Sequence, residues 1–253
     1  GDIHKILFEN FFMILLKLIM FIQGDIHDVI KTIETNSIDF IYTDPPFGTT
    51  KAKWDNGLDW ANLFKEMWRV LKPNGIICLY SSLPFTYELL KYEKPKYHYS
   101  WKKNNSTGFL SSKYQPLRNM EEIFVYYRRR GTYNPQMEGD KQFKKRCVKY
   151  GSTENEYWNG KGHKYKMKDG KRINETEEGG HTGKYPTTFK EWKIRKDKTG
   201  ITRTDEQIDY FIKTYSNEKD TILDMTCHNK FVGDRCELLQ RNYIGVDLEL
   251  KRE

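Results

Sequence analysis

The sequence predicts an α/β domain built on a mixed, mainly parallel sheet. Three observations carry that prediction. Apolar runs typical of buried strands alternate with segments of helical period through the first half of the chain. Three strand-like runs end in an acid, at Asp44, Asp224 and Asp247. The length of 253 residues suits one large α/β domain with an insertion, or two small domains.

Each element has its own signal. Phe21–Gln23 reads as a short strand and Ile26–Ile33 as a short helix. Ser37–Tyr42 is rich in β-branched and aromatic residues and reads as a buried strand. Asp59–Leu71 places Trp60, Leu63, Phe64, Met67, Trp68 and Leu71 on one helical face, and "KPNG" (Lys72–Gly75) is expected to end that helix. "GIICLYSS" is a second buried strand, and Leu83–Tyr92 a short helix. "YHYSWKK" and "EEIFVYYRR" are further strands, joined by "NNSTGFLSSKYQPLRN". Order returns at Thr204. "DEQIDYFIKTYS" is amphipathic, "DTILDMT" is a strand, "FVGDRCELLQR" is helical, and "NYIGVDL" is a strand. Strand, loop, helix and strand with acids at both strand ends is the geometry of a nucleotide site: the first loop faces the ligand, and the later acid can hold a ribose.

Between Arg128 and Arg203 the pattern dissolves into Gly, Lys, Asn and Glu. From Lys113 to Arg203, Lys and Arg outnumber Asp and Glu about two to one. Such a segment is either a solvated, disordered insertion or a surface that faces nucleic acid, where Lys and Arg between Tyr and Trp suit phosphates and bases together. The whole chain carries a net charge of +8 and a pI near 9.1. That balance suits a polyanionic partner, although Lys and Tyr richness also follows from AT-rich coding. Four scattered cysteines without a C-x-x-C pair argue against a zinc site or a disulfide scaffold and favour an intracellular setting. The apolar run Phe11–Ile22 is interrupted by Lys17 and is shorter than the ~20 residues a spanning helix needs. Residues 1–19 are expected to be an atypical extension, with Met20 a natural start.

The stretch "SIDFIYTDPPFGTT" (37–50) concentrates the chemistry. Asp44 follows a strand and precedes two prolines, which have no N–H to donate and hold the loop extended. In α/β sheets that edge is where ligands bind. Taken with "TDPPFGTTKAKWD" (43–55), "STGFLSSKYQPLRNMEEIFVYYRRRGTYNPQM" (106–137), "YFIKTYSNEKDTILD" (210–224), "TILDMTCHNKFVG" (221–233) and "RNYIGVDL" (241–248), it resembles the amino-group DNA methyltransferases of the permuted β class, in particular phage-type adenine methyltransferases. The resemblance covers roughly residues 20–250.

That resemblance implies a Rossmann-like, three-layer, S-adenosylmethionine-dependent methyltransferase fold with a basic insertion. Residues 20–127 would be the catalytic half, 128–203 a target-recognition insertion, and 204–253 the donor-binding half. It implies S-adenosylmethionine as donor, no metal, and double-stranded DNA as partner, with RNA an alternative. A homodimer or an active methyltransferase subunit would be a further partner. Asp44, Pro45, Pro46 and Phe47 would act on the base. Asp25, Asp224, Thr226 and Asp247 would hold the donor, and Lys113, Arg118, Arg128, Arg129 and Arg130 nucleic acid. Asp rather than Ser before the prolines leans toward adenine over cytosine by family habit. The chain also departs from the family. His228 and Lys230 stand at two glycine places of the donor loop, "TGITRTDEQ" lacks the usual proline, and Met120 replaces a usual His. The helix expected after Asp247 is missing or cut off at Glu253. A catalytically impaired, nucleic-acid-binding relative is therefore the competing expectation.

Overall fold

The computed structural model describes residues 18–48, 57–147, 156–158, 164–168, 171–172, 175–197 and 200–249. They fall into two compact units, Gly1–Asn134 with Thr187–Glu253, and Pro135–Pro186.

The first unit is a three-layer α/β domain. Its strands are β1 (Ile19–Gln23), β2 (Ile38–Thr43), β3 (Leu71–Ser81), β4 (Tyr97–Thr107), β5 (Arg118–Tyr126), β11 (Phe189–Trp192), β14 (Thr221–Asp224) and β15 (Asn242–Asp247), in the order β1-β15-β14-β2-β3-β5-β4-β11. All neighbours run parallel except β5, which is antiparallel to both β3 and β4. Alternate residues of the central strands feed two cores, as expected of a sheet covered on both faces. Ile41, Ile77, Leu79, Phe124 and Tyr126 pack under α1 (Ile26–Thr32), α2 (Trp60–Val70) and α3 (Phe85–Tyr92). Phe40, Tyr42, Ile76, Cys78, Tyr80, Ile123 and Val125 pack under α4 (Asp205–Tyr215) and α5 (Phe231–Leu238). Among the described residues no helix is long and apolar enough to cross a membrane.

The second unit pairs β6 (Glu138–Cys147) with β10 (Glu175–Lys184) as an antiparallel ribbon. A small meander joins β7 (Glu156–Trp158), β8 (Lys164–Lys168) and β9 (Lys171–Arg172). No alternation announced these strands, because an antiparallel ladder is closed by backbone hydrogen bonds whatever the side chains are.

Three boundaries differ from expectation. The insertion does not run to Arg203: β11 joins the main sheet beside β4, the Trp101 indole donates to the Trp192 carbonyl at 2.9 Å, and Trp192 is buried. The hairpin of β12 (Ile194–Asp197) and β13 (Gly200–Arg203) then leads into α4. Residue 19 is not outside the fold either. Ile19 pairs with Tyr243, and the Leu18 carbonyl accepts from the Tyr243 amide at 2.7 Å. Residues 1–17, the rest of the expected extension, lie outside the described residues. Finally, "KPNG" follows the end of α2 as expected, but it lies inside β3, which was expected to start at Gly75. Pro73 disfavours helix at Lys72, so β3 starts at once at Leu71, with a shifted register against β2. Gly75 is required there, because a Cβ would meet the Asp39 carbonyl at 2.9 Å and the Leu71 side chain at 2.5 Å.

Candidate active site

Because β1, β15, β14 and β2 are adjacent and parallel, their C-terminal ends form one edge. Asp25, Asp247, Asp224 and Asp44, scattered in sequence, follow those four ends in that order. Hydrogen bonds stitch the edge together. The Gly24 amide donates to the Asp247 carbonyl at 2.9 Å, the Cys227 amide to the Val246 carbonyl at 2.9 Å, and the Thr43 and Thr226 hydroxyls meet at 3.0 Å.

Asp44 leaves β2 into Pro45, which is buried, and Pro46, which is half-buried. Phe47 stacks on Phe85 with ring centres 5.1 Å apart and planes at 19°. One Phe47 face is therefore used by the protein. The Asp44 side chain remains 39% exposed, yet its Oδ2 lies 2.6 Å from Arg203 Nη2. Desolvation by the surrounding protein pushes the Asp44 carboxyl above its usual range, Glu121 adds to that push, and Arg203 pulls against it.

Asp224 is buried at the end of β14, with the Thr226 amide at 3.2 Å and the Tyr243 hydroxyl at 3.3 Å. Burial raises its carboxyl to about 7, and neighbouring Asp44 and Asp247 push the same way. Asp247 accepts from the amides of His228 and Glu249, each at 2.9 Å. Asp25 is already employed. It caps α1 through the His27 amide at 2.8 Å and touches His27 Nδ1 at 2.8 Å, and these bonds hold its carboxyl below the usual range.

The two glycine places behave differently. His228 takes φ +46°, the left-handed region that favours glycine, and aims its amide at Asp247. Lys230, the residue before α5, has φ −81°, so it needs no glycine. Both residues are exposed.

The helix α4 runs toward the far edge. Phe211 meets Tyr42 and Tyr80, whereas Tyr215, one turn later, meets Phe40. Its N-terminal turn therefore lies at the Asp44 edge. There the buried Thr204 hydroxyl and both amide atoms of Gln207 have no hydrogen-bond partner among the described residues. Buried polar atoms are rarely left so. Unsatisfied groups at a helix N-terminus, at the same sheet edge as the strands ending in Asp224 and Asp247, fit a zwitterionic nucleoside ligand such as S-adenosylmethionine. Among the described residues no group of three or more His, Cys, Asp or Glu side chains is placed to hold a metal ion.

The basic residues separate. Arg118 starts β5, at the Asp44 edge, where its Nη1 donates to the Leu83 carbonyl at 3.3 Å. Lys113 is exposed in the loop between β4 and β5, at the same edge. Arg128, Arg129 and Arg130 follow the other end of β5. Nine strand residues, about 30 Å of extended chain, lie between. Arg128 stacks over Trp68 at 4.6 Å and, with Arg129, lines a shallow recess beside Leu71–Pro73. The three arginines are thus not brought to the site, because β5 reverses direction relative to β2 and β3.

Sequence reasoning missed the partners of Asp44. Arg203 bridges Asp44 and Glu121, and Glu121 pairs with Lys103 at 2.7 Å. A period-two reading carries the signal: Lys103 follows Trp101 by two, Glu121 precedes Ile123 by two, and both apolar residues face the α4 core.

A mixed, mainly parallel sheet with helices on both faces and its acids on one edge is the fold of S-adenosylmethionine-dependent methyltransferases. Solved structures agree. The chain is similar to M1.HpyAVI in its SAM complex (16% identity, TM-score 0.55, 92% of this chain and 94% of that one). It is similar to the cytosine-N4-specific PvuII DNA methyltransferase (11%, 0.60, 90% and 81%) and to TTHA0409 of Thermus thermophilus (16%, 0.54, 91% and 89%). At these identities the likeness shows the fold. No curated protein matches the sequence. Residues 38–253 match the DNA methylase family of N6 and N4 methyltransferases, and the chain belongs to that amino-group DNA methyltransferase family.

Proposed function

We propose that the protein methylates the exocyclic N6 of adenine in double-stranded DNA, using S-adenosylmethionine and acting on a flipped-out base. The observation that carries this reading is the Thr43–Thr226 contact. It sets the Asp44-Pro45-Pro46-Phe47 loop directly beside the loop that begins at Asp224. Bound there, S-adenosylmethionine supplies an electrophilic methyl group. Asp224, Thr226, Asp247 and the N-terminal turn of α4 are the residues to hold it, with Asp25 shaping the rim.

The protein's work is on the amine. The nitrogen lone pair of adenine is delocalised into the ring. Asp44 accepts one amino hydrogen and the Pro45 carbonyl the other, drawing the nitrogen toward tetrahedral geometry. The lone pair then forms the new N–C bond as the methyl's bond to sulfur breaks and leaves its electron pair on sulfur, and the surplus amino proton passes to water. Phe47, braced by Phe85, offers its remaining face to the extruded base. Positioning and electrostatics supply the catalysis. The test is to incubate the protein with labelled donor and duplex DNA and digest the product to nucleosides. N6-methyldeoxyadenosine is expected. Label in N4-methyldeoxycytidine would move the specificity to cytosine, label in RNA alone would change the substrate, and no label would leave the impaired relative.

Two further outcomes are expected. His228→Gly should raise the stability of the ligand-free protein in urea melts, because a side chain in the left-handed region costs about 1–2 kcal/mol. Lys230→Gly should bring no such gain, since φ there is ordinary. Equal stabilities of wild type and His228→Gly would show that the His228 backbone carries no strain. For DNA, reversing the charges of Lys113 and Arg118 should weaken binding and lower the salt slope by about 0.9 per lost phosphate contact. Reversing Arg128, Arg129 and Arg130 should do neither. The opposite ranking would put the DNA across the far edge.

A further inference from the structure

Arg203 ends β13 and directly precedes the first turn of α4. Its side chain is only 14% exposed. Nη2 lies 2.6 Å from Asp44 Oδ2, and Nη1 lies 3.0 Å from Glu121 Oε2. The guanidinium carbon stands 4.4 Å from the centre of the Tyr80 ring and 4.5 Å from that of Trp101. Glu121 and Lys103, 12% and 11% exposed, complete the chain at 2.7 Å. Two acids and two bases balance one another in a largely buried row, as buried charges must.

We infer that Arg203 is a positioning residue for the reacting carboxylate: it holds Oδ2 of Asp44, turns Oδ1 toward the target amino group, and keeps Asp44 a hydrogen-bond acceptor. The inference rests on the adenine-methylation reading, in which Asp44 must accept an amino hydrogen. A planar fork packed against two rings has little freedom to turn, and its two arms fix one carboxylate relative to the other. An ammonium would be a single point charge without that geometry. Several groups face Asp44. Burial and the Glu121 charge from β5 push its carboxyl up, while Arg203 from β13 and Lys103 from β4 pull it down. Asp224 on β14 and the hydroxyls of Tyr42 on β2 and Tyr80 on β3 are coupled to the same carboxylate. Glu121 has the opposite balance: burial pushes it up, but Arg203 and Lys103 outweigh burial and hold it below the usual range.

Three variants test this. Arg203→Lys keeps the charge and loses the fork. It should lower kcat about tenfold or more, with little change in KM for DNA, because the cost falls on orientation. Arg203→Gln removes the charge, and the acidic limb of the kcat profile should move up by about one pH unit or more. Glu121→Gln leaves Arg203 wholly to Asp44, and the limb should move down. The same shifts are read without catalysis from the carboxyl resonance of Asp44, in protein labelled with carbon-13 aspartate and assigned by its loss in Asp44→Asn. Opposite shifts in Arg203→Gln and Glu121→Gln support the inference. If Arg203→Gln does not fold, a downward shift in Glu121→Gln still supports it. An unmoved Asp44 resonance in folded Glu121→Gln, or full kcat in folded Arg203→Lys, overturns it. A wild type that transfers no methyl while Asp44 shifts as expected would strike the methylation reading and uphold the hold of Arg203 on Asp44.

Discussion

Replacing Asp44 by Ala is expected to lower methyl transfer by about 10²–10³-fold, the usual loss for one preorganised polar group at a reacting centre. The side chain is placed for that role. It leaves the end of β2 into two prolines, it is 39% exposed, and it sits beside the donor loop through Thr43 and Thr226. The fold should survive, because Arg203 keeps Glu121 as its partner at 3.0 Å. Circular dichroism, DNA affinity and donor calorimetry should therefore stay near wild type while the single-turnover rate collapses. Asp44→Asn keeps an acceptor oxygen without the charge and should fall between the two. An Ala variant that methylates at the wild-type rate would remove Asp44 from the chemistry.

The second large effect concerns Asp224 and pH. An unfolded Asp titrates near 4, whereas burial lifts the folded Asp224 to about 7. The folded protein thus binds this proton more tightly than the unfolded chain. The stability that the protonated carboxyl contributes is whole below about pH 4 and is lost as pH rises to about 7. That difference corresponds to about 4 kcal/mol at most. In urea melts of ligand-free protein, Asp224→Asn should gain on wild type by about 3 kcal/mol between pH 5 and pH 8. The partners of its carboxyl among the described residues, a backbone amide and the Tyr243 hydroxyl at 3.3 Å, are too few to hold a buried charge. Parallel pH curves for the two proteins would mean that the Asp224 carboxylate is stabilised in the folded state and does not take up the proton.

Much was legible in the sequence because it depends on local chemistry. The apolar run of β2, the helical face of α2 and the amphipathic α4 each carry their own period. The acids at three strand ends needed no more than strand assignment to be placed at an edge. Asp25 was named only through the family resemblance, as a donor residue, and its capping of α1 through the His27 amide was not foreseen.

What the sequence determined alone was the alternation of strand and helix, the loop "DPPF" after a strand, and the order of that strand before the one that ends at Asp224, since each is written in contiguous residues. Tertiary structure decided which strands are neighbours and which way each runs. The reversal of β5 carries Arg128–Arg130 to the far edge and brings Glu121 to Arg203, 82 residues away by number. The edge pairing of β11 with β4 returns residues after 187 to the main sheet. The left-handed turn at His228 likewise exists because its amide meets Asp247. In each case the deciding contact joins residues far apart in the chain, and its energy appears only when packing has brought them together.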